Sequence, residues 1–401
     1  MGAGENITSF KGIKSASQLL LLPKFDIIEG FVFDFMHASF LGVARVFLNI
    51  WIDPKYHTRE FYVGRRAKEI NQKLLLYSVP MKFSRTVRFL DEVKFWKASE
   101  WNTWSLISLI VMDGVLPGEY VNHFQLFVTG ILLLSGDFVK EDDILKADML
   151  LASFVNDVSV LYGLEFSSFN CHSLLHAAST VKAWGPLYHY SAFQFENYNG
   201  MLLNLLSGTK HIGRVISNKM NEHFALKKFA NESPQTAATD FFISLDNRTK
   251  LRTNVVVVNG ILMIGVAKTR FASSAEQVAL RREGLSTVSF RCFKSCYVNG
   301  NFYTTQAQRS QKQCDSVAEV NGDFFLIKEI ILAKGVPLSL VSKLAVSNFN
   351  NSKFIYKVTR VSKEIVPLKL NTFVSKFIVK KSSCGVIEKI VKLPNNSMVV
   401  D

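Results

Sequence analysis

Three Val-Asn-Gly triplets, at residues 258–260, 298–300 and 320–322, each stand between runs rich in β-branched and aromatic residues. Asn and Gly reach positive φ more easily than other residues, and the pair in succession fits the two-residue turn of a hairpin. The pattern restricts the chain beyond residue 250 to antiparallel strands joined by tight turns. "FIYKVTRVSK" and "SKFIVKK" add further strands. Residues 250–401 therefore read as a small antiparallel, barrel-like β domain. The flanks of the triplets do not match, so hairpin chemistry accounts for them better than an internal repeat.

Upstream the period changes. "FDIIEGFVFD" (25–34) has strand composition and passes directly into "HASFLGVARVFLNIWI" (37–52), whose apolar residues fall at helical spacing. A polar connection then leads into a basic helix carrying Arg65, Arg66, Lys68 and Lys73. Residues 94–165 alternate apolar helical stretches with breaks at "DGVLPGEY" and "SGDFVKEDD", where Asp142 and Asp143 suit a helix start. Further helices are expected at 171–184, 192–208 and 211–230, followed by a linker, 231–249, of turn-forming and polar residues. The fold class is α+β: a strand–Asp–helix unit over 1–54, a helical block over 55–165, helices over 166–230, the linker, and the β domain.

Charge narrows the partners. The formal net charge is +14, and it is uneven. Residues 251–401 hold 22 basic against 9 acidic residues, whereas residues 101–210 hold 4 against 10. A basic end beside an acidic middle suits a polyanion such as nucleic acid, or simply a solvated basic surface. No apolar run reaches the roughly 18 residues that a membrane span needs. The N-terminus lacks the order of a signal peptide, and the five cysteines contain no CxxC. The expectation is a non-secreted protein, nuclear or cytoplasmic, with no membrane contact.

Three features could carry chemistry. Asp34 ends the apolar run 31–34 and could cap the following helix, hold a metal ion or act as a base. His172 and His176 lie four apart on an expected helix, a spacing that suits one metal ion or a packed, hydrogen-bonded core. Glu196 sits in the aromatic run "SAFQFENYNG", where a helix start also favours an acid.

"LLLLPKFDIIEGFVFDFMHASFLGVAR", "FWKASEWNTW", "LPGEYVNHFQLFV" and "FNCHSLLHAASTVKAWGPLYHYSAFQFENYNGMLLNLLSGT" follow one another over roughly residues 11–230. In that order the four blocks resemble DNA transposases of the CACTA/EnSpm type. The resemblance implies an RNase H-like nuclease core with a helical insertion, and acidic residues in the order Asp, Asp, Glu that hold two Mg²⁺ ions for strand cutting and joining. It implies that Asp34 is the second acid and Glu196 the third, both Mg²⁺ ligands, and that His172 and His176 match a pair that joins two cysteines on Zn²⁺. The chain departs from the pattern twice. Only 33 residues precede Asp34, too few for the strands that carry the first acid, and no CxxC lies between Asp34 and Glu196. The expectation is an incomplete core with vestigial Asp34 and Glu196 and an incomplete zinc site. Its expected function is that of a transposase fragment without present strand transfer or, alternatively, a non-catalytic nucleic-acid or chromatin binder. The expected partners are DNA, bound without sequence preference, and a second copy of the chain. Asp34 and Glu196 should lie close together, with His172 and His176 turned inward toward the Asp34–His37 turn.

Overall fold

The computed structural model describes residues 16–27, 30–83, 85–206, 208–233, 236, 254–307 and 312–394. Most of the expected 231–249 linker lies outside them. Helices fill the first half and antiparallel strands the second, so the α+β class holds.

A π-type helix, Met36–Ala44, runs without a break into α1 (Arg45–Ile52). Met36, Phe40, Val43 and Ala44 on it are buried. It lies against α3 (Ala98–Val111), which is buried at every position after Ala98 and so forms the centre of the helical half. α2 (Ala67–Leu74) precedes α3. The two expected breaks then separate α3, α4 (Gly118–Leu133) and α5 (Glu141–Leu161). α4 and α5 approach closely at Gly130, where a Cβ would come within 2.7 Å of the Leu151 side chain. Phe47, Trp51, Phe124, Phe154 and Tyr162 interlock between them, ring centroids 4.9–6.3 Å apart.

The remaining helices are α6 (Phe169–Ser173), α7 (Ala177–Trp184), α8 (Ala192–Asn204) and α9 (Ile212–Glu232). The single helix expected over 171–184 is interrupted by a tight 3-10 turn at Leu174–His176.

Two expectations fail in this half. Among the described residues no strand is found within 25–34, and none precedes Tyr77. The segment instead turns on itself. Gly30 N–H donates to the Asp26 carbonyl at 2.9 Å, and Phe25 meets Phe31 edge-on. β-type composition needs a neighbouring strand, and none lies alongside among the described residues. The helical block is also not wholly helical: Tyr77–Ser78 forms β1 and pairs with residues 379–380.

The strands of the second half are β2 (Val255–Val258), β3 (Ile261–Ile264), β4 (Lys268–Phe271), β5 (Ser289–Phe293), β6 (Ser295–Val298), β7 (Asn301–Thr304), β8 (Val317–Val320), β9 (Asp323–Ala333), β10 (Val336–Asn348), β11 (Ile355–Val361), β12 (Val366–Lys369), β13 (Phe377–Lys381) and β14 (Ile387–Lys392). A short helix, α10 (Ser274–Arg282), follows β4. All three Asn-Gly pairs make two-residue hairpins, joining β2 to β3, β6 to β7 and β8 to β9, with φ of 50–51° at Asn and 72–82° at Gly.

β9 and β10 form the spine of the large sheet. The other side of β10 takes β12 along its first half and β11 along its second, while β9 takes β8 and then β5. The sheet runs β1-β13-β14-β11-β10-β9-β5-β4, and among the described residues its end strands do not pair with each other, so it is an open sheet and not the barrel expected. A second sheet, β2-β3-β6-β7, shares a core with β9 and β10 through Met263, Cys296, Tyr303, Ile327, Ile330 and Val341. Ile355, Ile378 and Val391 point the other way, into the core of the helical half.

Candidate functional site around Asp34, His37 and Glu196

The start of the π-type helix is set by Asp34. Its Oδ1 accepts the Met36 N–H at 3.1 Å, and its carbonyl accepts the Ala38 N–H at 3.0 Å. This is helix capping by an acid two residues ahead of the first free N–H. Asp34 Oδ2 lies 2.5 Å from His37 Nδ1.

The other edge of the His37 ring faces Glu196, with Nε2 and Glu196 Oε1 3.9 Å apart. Glu196 arrives there because α8 is pinned at its first turn. Ser191 Oγ accepts the Phe193 N–H at 3.3 Å, and the Phe193 ring packs beside Phe35 and Phe40 with centroids 6.4 and 6.1 Å away. Beyond that turn, α8 buries none of its residues. The structure thus gathers Asp34, His37 and Glu196, residues from opposite ends of the helical half, at one partly exposed spot.

The histidine is the residue whose part the sequence concealed. Asp34 and His37 are three apart at a helix start, which places their side chains in reach of each other. No local signal shows that Glu196 would approach from the other side.

The arrangement does not suit the ions that the resemblance implies. The two carboxylates address opposite nitrogens of one imidazole, and both Asp34 oxygens already accept from the protein. A shared Mg²⁺ needs them to converge on one point with a bridging oxygen. Among the described residues no group of three His, Cys, Asp or Glu is placed to hold a metal ion. Zn²⁺ fares no better. His172 and His176 are both exposed instead of inward-facing, with rings 5.3 Å apart and nearly perpendicular. The two rings still share one face across the 3-10 turn at 174–176, but that face is turned to solvent while Cys171, Leu174, Ala177 and Ala178 fill the interior. Their segment does approach the π-type helix, since Asn170 fills the space that a Cβ on Gly42 would need.

The expected basic patch divides in two. Arg66 forks onto Glu69 at 2.8 and 2.9 Å and donates to the Val115 carbonyl at 2.7 Å. Lys73 donates to the Asp113 carbonyl at 2.6 Å, and burial pulls its pKa down despite Glu69 and Asp113 nearby. Both serve the fold. Arg65 and Lys68 remain exposed.

In the second half the acids are largely spent. Asp315 pairs with Lys376, Glu319 with Lys392, Asp323 with Lys343, Glu276 and Glu329 with Arg270, Glu364 with Arg282, and Glu388 with Lys380. Lys268, Lys294, Lys357, Arg360, Lys363 and Lys369 are exposed and take part in no ion pair among the described residues. Lys357, Lys389 and Lys380 also lie directly opposite one another across β11, β14 and β13. Burial, with Lys380 and Lys357 adding repulsion, pulls Lys389 down even though Asp113 stands 3.3 Å away. Like charges in register weaken a sheet, and an external anion would relieve them.

No helix among the described residues is long and apolar enough to cross a membrane. Comparison with protein-family models, with curated proteins and with solved structures finds no match.

Proposed function

We propose that the chain is a transposon-derived protein that binds nucleic acid without cutting it, through the basic surface of its β half. What supports this reading is the charge imbalance in that half: most of its acids are held in ion pairs while a set of lysines and arginines faces solvent. In this proposal DNA binds by its phosphates and with little sequence preference. The lineage rests on the four ordered sequence blocks. Mg²⁺ and Zn²⁺ belong to the ancestor, and Asp34 now caps a helix.

The test is fluorescence anisotropy of a labelled random-sequence duplex across a salt series. Binding should weaken steeply, with log K falling linearly in log salt at a slope of about −0.9 per phosphate contacted. Lys357→Glu combined with Arg360→Glu and Lys363→Glu should reduce both affinity and slope. Absence of binding at low salt, or binding indifferent to salt, rejects the proposal. A nicking assay on supercoiled plasmid addresses the catalytic side. The chain, Asp34→Ala and Glu196→Ala should all give background signal with Mg²⁺ or Mn²⁺, and cleavage lost in both variants would restore the nuclease reading.

A further inference from the structure

A cleft of about 460 Å³ opens where the two halves meet. One wall is the segment Phe83, Arg85, Thr86 and Arg88, the other includes Lys312, and Glu100 at the start of α3 lines it as well. Next to it Val79 bridges to Gln313, so the cleft straddles a fixed contact between the helical half and the β half.

Its charges are not equivalent. Glu100 is 1% exposed and accepts both arms of Arg88 at 2.7 and 2.8 Å. Burial opposes ionisation of Glu100, but Arg88 and the Lys97 N–H prevail and hold it below its usual range. Arg88 also donates to Glu92 and to the Phe95 carbonyl. This pair is internally balanced and fixes the wall of the cleft. Arg85 and Lys312 are exposed, and neither side chain enters an ion pair or hydrogen bond among the described residues. The cleft therefore presents two cations that have no ion-pair partner among the described residues, with Thr86 also lining it, beside the fixed Arg88–Glu100 pair.

We infer that this cleft is a binding site for a small phosphate-bearing anion, a diphosphate or a nucleotide, held between Arg85 and Lys312. A guanidinium offers paired donors to phosphate oxygens, an ammonium adds a point charge, and a hydroxyl can complete the shell. The volume lies within the range of small-molecule sites. Two cations lining one cavity, neither ion-paired among the described residues, favour a ligand that carries two negative charges. The inference stands independently of the DNA-binding proposal, because it uses neither the lysines of β11 and β12 nor the transposase lineage.

The experiment is isothermal titration calorimetry of the full chain at physiological salt with inorganic pyrophosphate, with ADP and with malonate, paired with thermal melts. Saturable binding of pyrophosphate near one per chain is expected, with a raised melting temperature because the ligand ties the two halves together. ADP binding tighter than pyrophosphate identifies a nucleoside-bearing ligand, and equal binding identifies the diphosphate alone. Arg85→Gln and Lys312→Gln should each weaken binding at least tenfold while leaving the unliganded melt unchanged. Lys357→Glu, remote in the β half, should retain it. Absent or non-saturable binding, binding unaltered in Arg85→Gln and Lys312→Gln, or malonate binding as tightly as pyrophosphate would each overturn the inference.

Discussion

At the residue scale, Asp34 shows how one side chain can satisfy several readings of a sequence. Its place ahead of a helix was legible, and so was capping as its simplest use. Its bond to His37 and the approach of Glu196 were not, because they depend on where α8 packs. If capping is its present work, Asp34→Ala should cost about 1 kcal/mol in chemical denaturation, whereas Asp34→Asn should stay close to the wild type. Lys82 offers a second test. Burial, with Lys376 adding repulsion, pulls its pKa down to about 7, from the 10.5 of an exposed lysine. Between those values the unfolded chain keeps a proton that the folded chain gives up, so this lysine's penalty is greatest below pH 7 and fades as pH rises. The gain in melting temperature from Lys82→Met should therefore hold level below pH 7 and shrink between pH 7 and pH 10. A gain that grows with pH would contradict the assignment.

Elements differ in how much of their cause is local. The Asn-Gly hairpins could be read directly because positive φ is a property of those two residues. Gly322 makes the point separable, since φ is 82° and a Cβ there would meet nothing within 4 Å. Gly322→Ala should cost roughly 1–2 kcal/mol from backbone conformation alone, measured by urea unfolding. A neutral substitution would mean that the turn type is not what holds β8 to β9. Residues 25–34 have equally strand-like composition, yet composition cannot supply a partner strand. β1 fails in the opposite direction: two residues give no periodicity, and their partner lies far along the chain. The 3-10 turn at Leu174–His176 likewise left no mark in the spacing of the two histidines.

For the whole molecule, the expected division into helical and β portions follows the chain order but not the packing. Phe354, Ile355, Ile378, Val391 and Leu393 belong to the same core as Phe47 and Trp104. Unfolding followed by far-UV and near-UV circular dichroism should therefore give one coincident transition. Ile378→Ala, in the β half and fully buried, should lower the stability of both halves together by about 2–5 kcal/mol. Separate transitions would show that the shared core contributes little. For the same reason, removing residues 250–401 is a poor test of nucleic-acid binding, because it would strip the helices of part of their interior; charge reversal on exposed lysines leaves that interior alone.

The pairing of Tyr77 with Lys380 also bears on how the protein is made. A ribosome must add some three hundred further residues after Tyr77 before its strand partner exists. At 5–20 residues per second that is a wait of tens of seconds. During it the nascent helices carry an uncovered apolar face where Ile355, Ile378 and Val391 will later sit. Such a chain cannot mature domain by domain from its N-terminus, and its yield should depend on chaperones that shield the unfinished helical half until synthesis of β13 and β14 is complete. Ribosome-stalled chains ending near residue 250 should be protease-sensitive, and those extended past β14 should be resistant.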